Sequence, residues 1–239
     1  MDPLLIEVPH RVETPRLVLR GPRAGDGAAA CAAVQASIES LRPWMPWAQQ
    51  DQTLAQAESY CRRQQALFIL REELSWFVYE RGLEGPEGPV LGGIGLHHID
   101  WSERRFEIGW WRRTGLEGIG VAGEAVWAVT RLAFDTLGAR RVEARMDETN
   151  QRSWRLAERM GFTFEGVLRL DSSTPGGTPR STRVYSRVRG VEEPGAPQVG
   201  PKEASGEPAR EAAPASVQVR EAAPAPVPAG ASGEPGHAG

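Results

Sequence analysis

The stretch 117–123, Glu-Gly-Ile-Gly-Val-Ala-Gly, sets small residues where a strand-like segment gives way to a helical one. Small residues let successive main-chain N–H groups face one point, and a helix N-terminus adds partial positive charge, so an anion is favoured there. The loop is not a P-loop, because no Gly-Lys-Ser/Thr follows, and the elements before it read as an antiparallel meander rather than the opening of a dinucleotide-binding unit. A plain helix start with glycines for turning accounts for the same residues. A second run, 147–153 (Asp-Glu-Thr-Asn-Gln-Arg-Ser), closes one predicted strand and opens a helix that carries Asn150 and Ser153. Glu107 lies on a predicted strand, where it could take a proton directly or through water, or attract a cation. His97 and His98 alternate on the strand before it, which predicts one histidine on each side of the sheet; a structural role suits either.

The elements that must position these residues follow from periodicity and punctuation. Residues 16–20 (Arg-Leu-Val-Leu-Arg) alternate as a first strand, and Asp26 can cap a helix through the alanine-rich stretch to about Ser37. In 41–47 two prolines forbid a regular helix, while Trp44 and Trp47 demand burial. Thr53 and Gln56 form a capping box for a helix over 54–70. Strands are predicted at 74–80, 90–99 and 105–111, followed by the glycine-rich loop 115–123 and a helix to Leu137, in which Val126, Val129, Ala133 and Leu137 share a face. A strand at 141–146, a helix at 150–160 and strands at 162–170 and 182–188 complete the order. Strand, loop, helix, strand at this point requires a parallel crossover, so the α/β sheet is mixed.

Composition bounds the class. Among 239 residues, 40% are hydrophobic and 25% charged, and no apolar run is long enough to span a membrane. The opening residues lack a basic segment followed by an apolar one, which predicts a cytoplasmic protein without a cleaved signal. Cys31 and Cys61 cannot build a disulfide framework or a zinc site, so no metal is expected; both read as small buried hydrophobes. A net charge of −3 argues against a dedicated nucleic-acid binder. Residues 190–239 hold seven glutamates against Lys202, Arg210 and Arg220, a balance of −4 that leaves 1–189 at +1. That segment carries nine of the nineteen prolines, no aromatic residue, and repeats Arg-Glu-Ala-Ala-Pro-Ala at Arg210 and Arg220. It has too little apolar surface to offset the entropy of ordering its backbone, so a disordered tail is expected after a domain at 1–189. A tethered interaction motif is the functional alternative.

Taken in order, Phe106-Glu107-Ile108-Gly109-Trp110-Trp111, Gly118-x-Gly120-x-Ala122-x-Glu124-Ala125, Asn150-x-x-Ser153, Gly161-Phe162 and Glu165-Gly166 resemble the GNAT superfamily of acyl-CoA N-acyltransferases, and within it the RimJ/RimL-type ribosomal-protein N-terminal acetyltransferases. The resemblance spans roughly 13–189. It implies an open, mostly antiparallel mixed sheet of about seven strands with four helices. The fourth and fifth strands, 105–111 and 141–146, would splay to hold acetyl-CoA. The diphosphate would then lie on the amides of Glu117, Gly118, Ile119, Gly120, Val121, Ala122 and Gly123. Pantetheine would pair with the strand edge from Ile108 past Trp110 to Trp111, and Asn150 would hydrogen-bond the cofactor.

Two positions depart from the family pattern. Its loop begins with Gln or Arg, where this chain has Glu117, a carboxylate that a diphosphate repels unless the side chain turns away. Many members carry a tyrosine where Ala157 stands, which leaves Ser153, one turn earlier, as the hydroxyl on that helix. Serine suffices on energetic grounds. A thiol pKa of about 8.5 makes the thiolate a fair leaving group, so a hydrogen bond need only stabilise it. Ser153 and Glu107 are thus the expected catalytic residues. An α-amine, with a pKa of about 7.7–8.0, is easier to deprotonate than lysine by roughly 3 kcal/mol, and the absence of a strong base suits it.

The acceptor wall is expected at Trp44 and Trp47 between the early helices, with His97 beside the cleft, although core packing explains the tryptophans equally well. Tyr185 on the last strand is a further residue that could reach the acceptor. No activated Cys or Ser–His pair is visible, so direct transfer is expected over a ping-pong route. The acceptor that the resemblance implies is the α-amino group of a ribosomal protein. A small amine such as a polyamine, amino acid or antibiotic is the alternative, and a non-catalytic acyl-CoA-binding scaffold a third reading. A homodimer is left open.

Overall fold

The computed structural model describes residues 2–83, 88–174 and 176–192. The expected tail therefore lies, apart from its first three residues, outside the described residues. One mixed sheet of eight strands organises the chain: β1 (Arg11–Glu13), β2 (Leu17–Arg20), β3 (Leu74–Glu80), β4 (Gly92–Asp100), β5 (Arg105–Arg112), β6 (Arg141–Asp147), β7 (Thr163–Ser173) and β8 (Pro179–Val188). Their order across the sheet is β1-β2-β3-β4-β5-β6-β8-β7. Only β5 and β6 run parallel. The helices are α1 (Gly27–Gln35), α2 (Ile38–Leu41), α3 (Leu54–Leu70), α4 (Val121–Asp135) and α5 (Gln151–Arg159).

Local sequence explains most of this. Thr53 accepts a hydrogen bond from the Gln56 backbone while Gln56 bonds back to the Thr53 amide, so the capping box starts α3 where expected. Alternation then divides the sheet into two faces. Leu96, Phe106, Ile108, Trp110, Val142, Ala144 and Met146 share a buried cluster with Val126, Val129 and Ala133 of α4 and Leu156 of α5. On the other face Phe77 and Tyr79 bury with Ala30 and Ala33 of α1 and Cys61 of α3.

Four expectations need correction. An additional strand, β1, precedes the segment read as first; it has three residues, two of them charged, and gives too little alternation to be seen. The eight strands and five helices therefore exceed the seven and four expected. The helix after Asp26 stops at Gln35, and α2 follows as a separate turn. Asp26 occupies the N-cap position but does not cap with its side chain. Its buried carboxylate instead takes both Arg20 amino groups at 2.8 Å, because a buried guanidinium without a counter-charge costs more than a lost cap. Both cysteines are free and buried, as expected, and burial pushes the Cys61 thiol up to about 12.

Candidate active site

Strands β5 and β6 pair only over Arg105↔Arg141, Phe106↔Val142 and Glu107↔Glu143. Beyond that point β5 follows β4 as far as Gly92↔Arg112, while β6 follows β8 to Asp147↔Thr182. The two parallel strands thus part, and a wedge opens toward their C-terminal ends. This is the expected splay. The glycine-rich loop leaves one arm of the wedge and α5 begins just past the other, so both chemical runs found in the sequence meet at its wide end.

At the loop, Gly115, Gly118 and Gly120 have φ of +88°, +79° and +84°, a region that favours glycine. Gly120 is the N-cap of α4 and offers no side chain, so no side-chain cap covers the first-turn amides of Val121, Ala122 and Gly123. A Cβ on Gly123 would make only an ordinary contact with Met160 Cε, at 3.5 Å, so packing does not require a glycine here. Two anchors escaped the sequence reading. The buried Glu124 accepts hydrogen bonds from Thr14 Oγ1 at 2.5 Å, the Arg16 amide at 3.0 Å and Arg16 Nε at 2.7 Å. Arg16 Nη1 donates to the Ile119 carbonyl at 2.7 Å, pinning the loop to the residue just ahead of β2. Because these contacts span more than a hundred residues, no local pattern reveals them.

Glu117 is not left to repel an anion. Its Oε1 lies 2.7 Å from Nη2 of Arg112, the last residue of β5. Burial raises the Glu117 carboxyl pKa, but the Arg112 guanidinium overcomes that and holds it below the usual range. A ring of main-chain donors without a side-chain cap, its one carboxylate neutralised, fits a diphosphate group.

At the other arm Asn150 caps α5, its Oδ1 accepting from the Ser153 amide at 3.3 Å. Asp147 Oδ1 accepts from the amide and hydroxyl of Thr149 at 2.7 Å and 2.6 Å, which fixes the turn between β6 and α5. Ser153 is fully buried, and so is Ala157. Tyr185 is also fully buried, and its hydroxyl donates to Glu158 Oε1 at 3.1 Å on the α5 side. Trp110 is a core residue, so only its main chain is available to the wedge.

The opposite face holds a pocket of about 170 Å³, lined among others by Trp47, Tyr60, Glu73, Gly95, His97 and Trp111. It reaches β5 at Gly109, the cross-strand partner of Gly95. Glycines hollow its floor: a Cβ on Gly93 would collide with the Trp111 indole nitrogen. The structure brings Trp47 and His97 together here. Trp44 is only half-buried and packs against the main core instead of lining the pocket.

Glu107 pairs with His97 across β4 and β5 and so shares its face. The two histidines do not take opposite faces. His98 has φ +43° at an irregularity in β4, and its Nδ1 reaches Glu107 Oε2 at 3.0 Å. A bulge breaks the period of two on which the alternation rested.

The acetyltransferase (GNAT) domain model matches residues 16–163 of the chain. The chain belongs to the GNAT family. The uncharacterized N-acetyltransferase YoaA of Bacillus subtilis (strain 168) is 33% identical over 144 residues, covering 58% of this chain and 75% of its own. RimL, a ribosomal L7/L12 alpha-N-protein acetyltransferase solved in complex with coenzyme A, superposes with a TM-score of 0.67 at 18% identity, over 74% of this chain and 97% of that one. Mycobacterium smegmatis RimJ, solved with a CoA disulfide, gives 0.67 at 21% identity, over 79% and 90%. This GNAT protein is thus an acyltransferase, and the non-catalytic reading loses its one support now that Arg112 neutralises Glu117. Among the described residues no group of His, Cys, Asp and Glu could hold a metal ion, and no helix is long and apolar enough to cross a membrane.

Proposed function

We propose that the protein transfers acetyl from acetyl-CoA directly to a primary amine, with the α-amine of a ribosomal polypeptide as acceptor. One observation carries this reading: the β5–β6 wedge has the amide loop and the Asn150–Ser153 turn at its wide end and the glycine-floored pocket on its other face. Acetyl-CoA supplies a thioester when bound. The amides of 117–123 hold its diphosphate, and the unpaired edge of 108–111 pairs with its pantetheine arm. Asn150 orients that arm from the cap of α5.

The acceptor enters from the pocket face, past Trp47, with Glu107 drawing the ammonium toward the wedge. The neutral amine nitrogen bonds to the acyl carbon, and the C–S bond breaks with its electron pair on sulfur. The Ser153 hydroxyl stabilises that sulfur by donating a hydrogen bond, and the proton shed by the new amide nitrogen passes to the thiolate. Support for an α-amine comes from the likeness to RimL and RimJ and from the lower cost of deprotonating an α-amine than a lysine. The pocket itself favours a second reading, in which a small amine fills it whole.

Thiol release from acetyl-CoA, followed over a panel of peptides with free N-termini and of small amines, separates the two. Peptides are expected to give the highest kcat/KM. Turnover confined to small amines would sink the polypeptide reading, and no amine-dependent release at all would sink both.

A further inference from the structure

At one end of the pocket Gln64, Glu73 and His97 converge. Gln64 donates its Nε2 to Glu73 Oε2 at 3.1 Å, and His97 Nδ1 lies 3.8 Å from the same carboxylate oxygen. Gln64 and His97 are each more than nine-tenths buried, and Gln64 Oε1 and His97 Nδ1 have no hydrogen-bond partner. The other imidazole nitrogen, Nε2, sits 3.0 Å from where a Cβ on Gly95 would be, so it hangs over the glycine floor beside Gly109. A buried acceptor left unpaired, as Gln64 Oε1 is, is costly, and together with the Glu73 carboxylate behind aromatic walls it calls for a ligand that brings N–H donors. That is the chemistry of an ammonium group.

We infer that the Gln64–Glu73–His97 corner binds the acceptor's ammonium and that His97 is the general base that removes its proton. This rests on the acetyl-transfer reading above and names the base for it. His97 Nδ1 faces the Glu73 carboxylate at 3.8 Å and so carries the hydrogen, which leaves the Nε2 lone pair toward the pocket. The N–H bond of the ammonium breaks, its electron pair stays on the amine nitrogen, and the proton moves to Nε2. The imidazolium so formed is stabilised by the Glu73 carboxylate. The neighbouring His97 and Gln64 in turn hold Glu73 below the usual carboxylate range.

Geometry favours His97 over Glu107: the buried imidazole turns Nε2 over the glycine floor of the pocket. Glu107 is also engaged by His98. The charged and titratable groups facing His97 are Glu73 ahead of β3, Glu107 across the sheet, and Arg63 and Tyr60 from α3, with His98 next to it on its own strand.

The test uses the full-length protein, acetyl-CoA and two acceptor amines of different pKa, with kcat followed from pH 5.5 to 9.5. Wild type is expected to show an acidic limb common to both amines. His97→Gln should lose that limb and about a hundredfold in kcat, while binding acetyl-CoA as before. Imidazole added to His97→Ala should restore part of the rate. Glu73→Gln should lower kcat, and adding it to His97→Gln should cost nothing further, as a role exercised through the imidazole requires. A His97→Gln enzyme that keeps the limb, or a limb that follows the amine's own pKa or vanishes in Glu107→Gln alone, overturns the assignment and leaves acetyl transfer standing. Absence of amine-dependent turnover in wild type would overturn both.

Discussion

Arg112 Nη2 lies 2.7 Å from Glu117 Oε1, joining the last residue of β5 to the first residue of the amide loop. The guanidinium is almost wholly buried and the carboxylate half exposed, so the arginine is the fixed partner and the glutamate the held one. Removing the arginine would free a carboxylate beside a proposed diphosphate site. Arg112→Gln is therefore expected to raise the acetyl-CoA Kd about tenfold, or about 1.4 kcal/mol. The double variant with Glu117→Gln should recover most of the loss, as calorimetry would show. Equal weakening in both would mean that Arg112 acts on the fold rather than through Glu117.

Ser153 is buried at the first turn of α5, where its amide is already committed to the Asn150 cap. Ser153→Ala keeps that backbone bond and deletes only the hydroxyl. Loss of one preorganised donor to developing charge costs about 10²–10³ in kcat. Turnover should fall by about that factor with acetyl-CoA affinity changed less than threefold in calorimetry. An unchanged kcat would take Ser153 out of the chemistry.

A methyl group on Gly93 would meet the Trp111 indole, which must then swing away from the strand and into the pocket. Gly93→Ala should raise KM for the acceptor about tenfold while the acetyl-CoA Kd stays put, since the wedge lies on the other side of β5. Parallel losses in both constants would indicate general unfolding of β4 instead. A thermal melt recorded alongside the kinetics decides between the two.

Glu165 accepts from Arg141 and from the Ser186 hydroxyl, and the arginine above all holds its carboxyl down to about 2. A depressed folded-state pKa contributes stability above the ordinary carboxylate range, and that contribution is lost as pH falls from about 4.5 toward 2. Its side chain is 39% exposed, so solvent screening limits the contribution to about 1 kcal/mol or less. Glu165→Gln should lower stability at pH 7 by that amount, and the difference from wild type should close on acidification. Urea titrations at pH 7 and pH 2.5 would check it; a gap that persists at low pH would contradict the pairing.

Much of this protein was determined by local chemistry. The Thr53–Gln56 box set the start of α3, alternation set β3 to β5, and the change from period two to helical spacing placed α4 and the parallel crossover. The glycine turn ahead of α4 and the start of α5 at Asn150 were legible, because each depends on neighbours within a turn or two. What the tertiary structure decided depends on residues far apart in the chain. Glu124 meets Arg16, Arg112 neutralises Glu117, and Glu73 comes to face His97 only when separate segments are laid side by side. The histidine pair shows the boundary most clearly: sequence alternation put them on opposite faces, and a single left-handed residue in β4 undid it. Periodicity reports what one strand does with its own backbone, whereas the position of a charge is fixed by whichever partner the fold brings within reach.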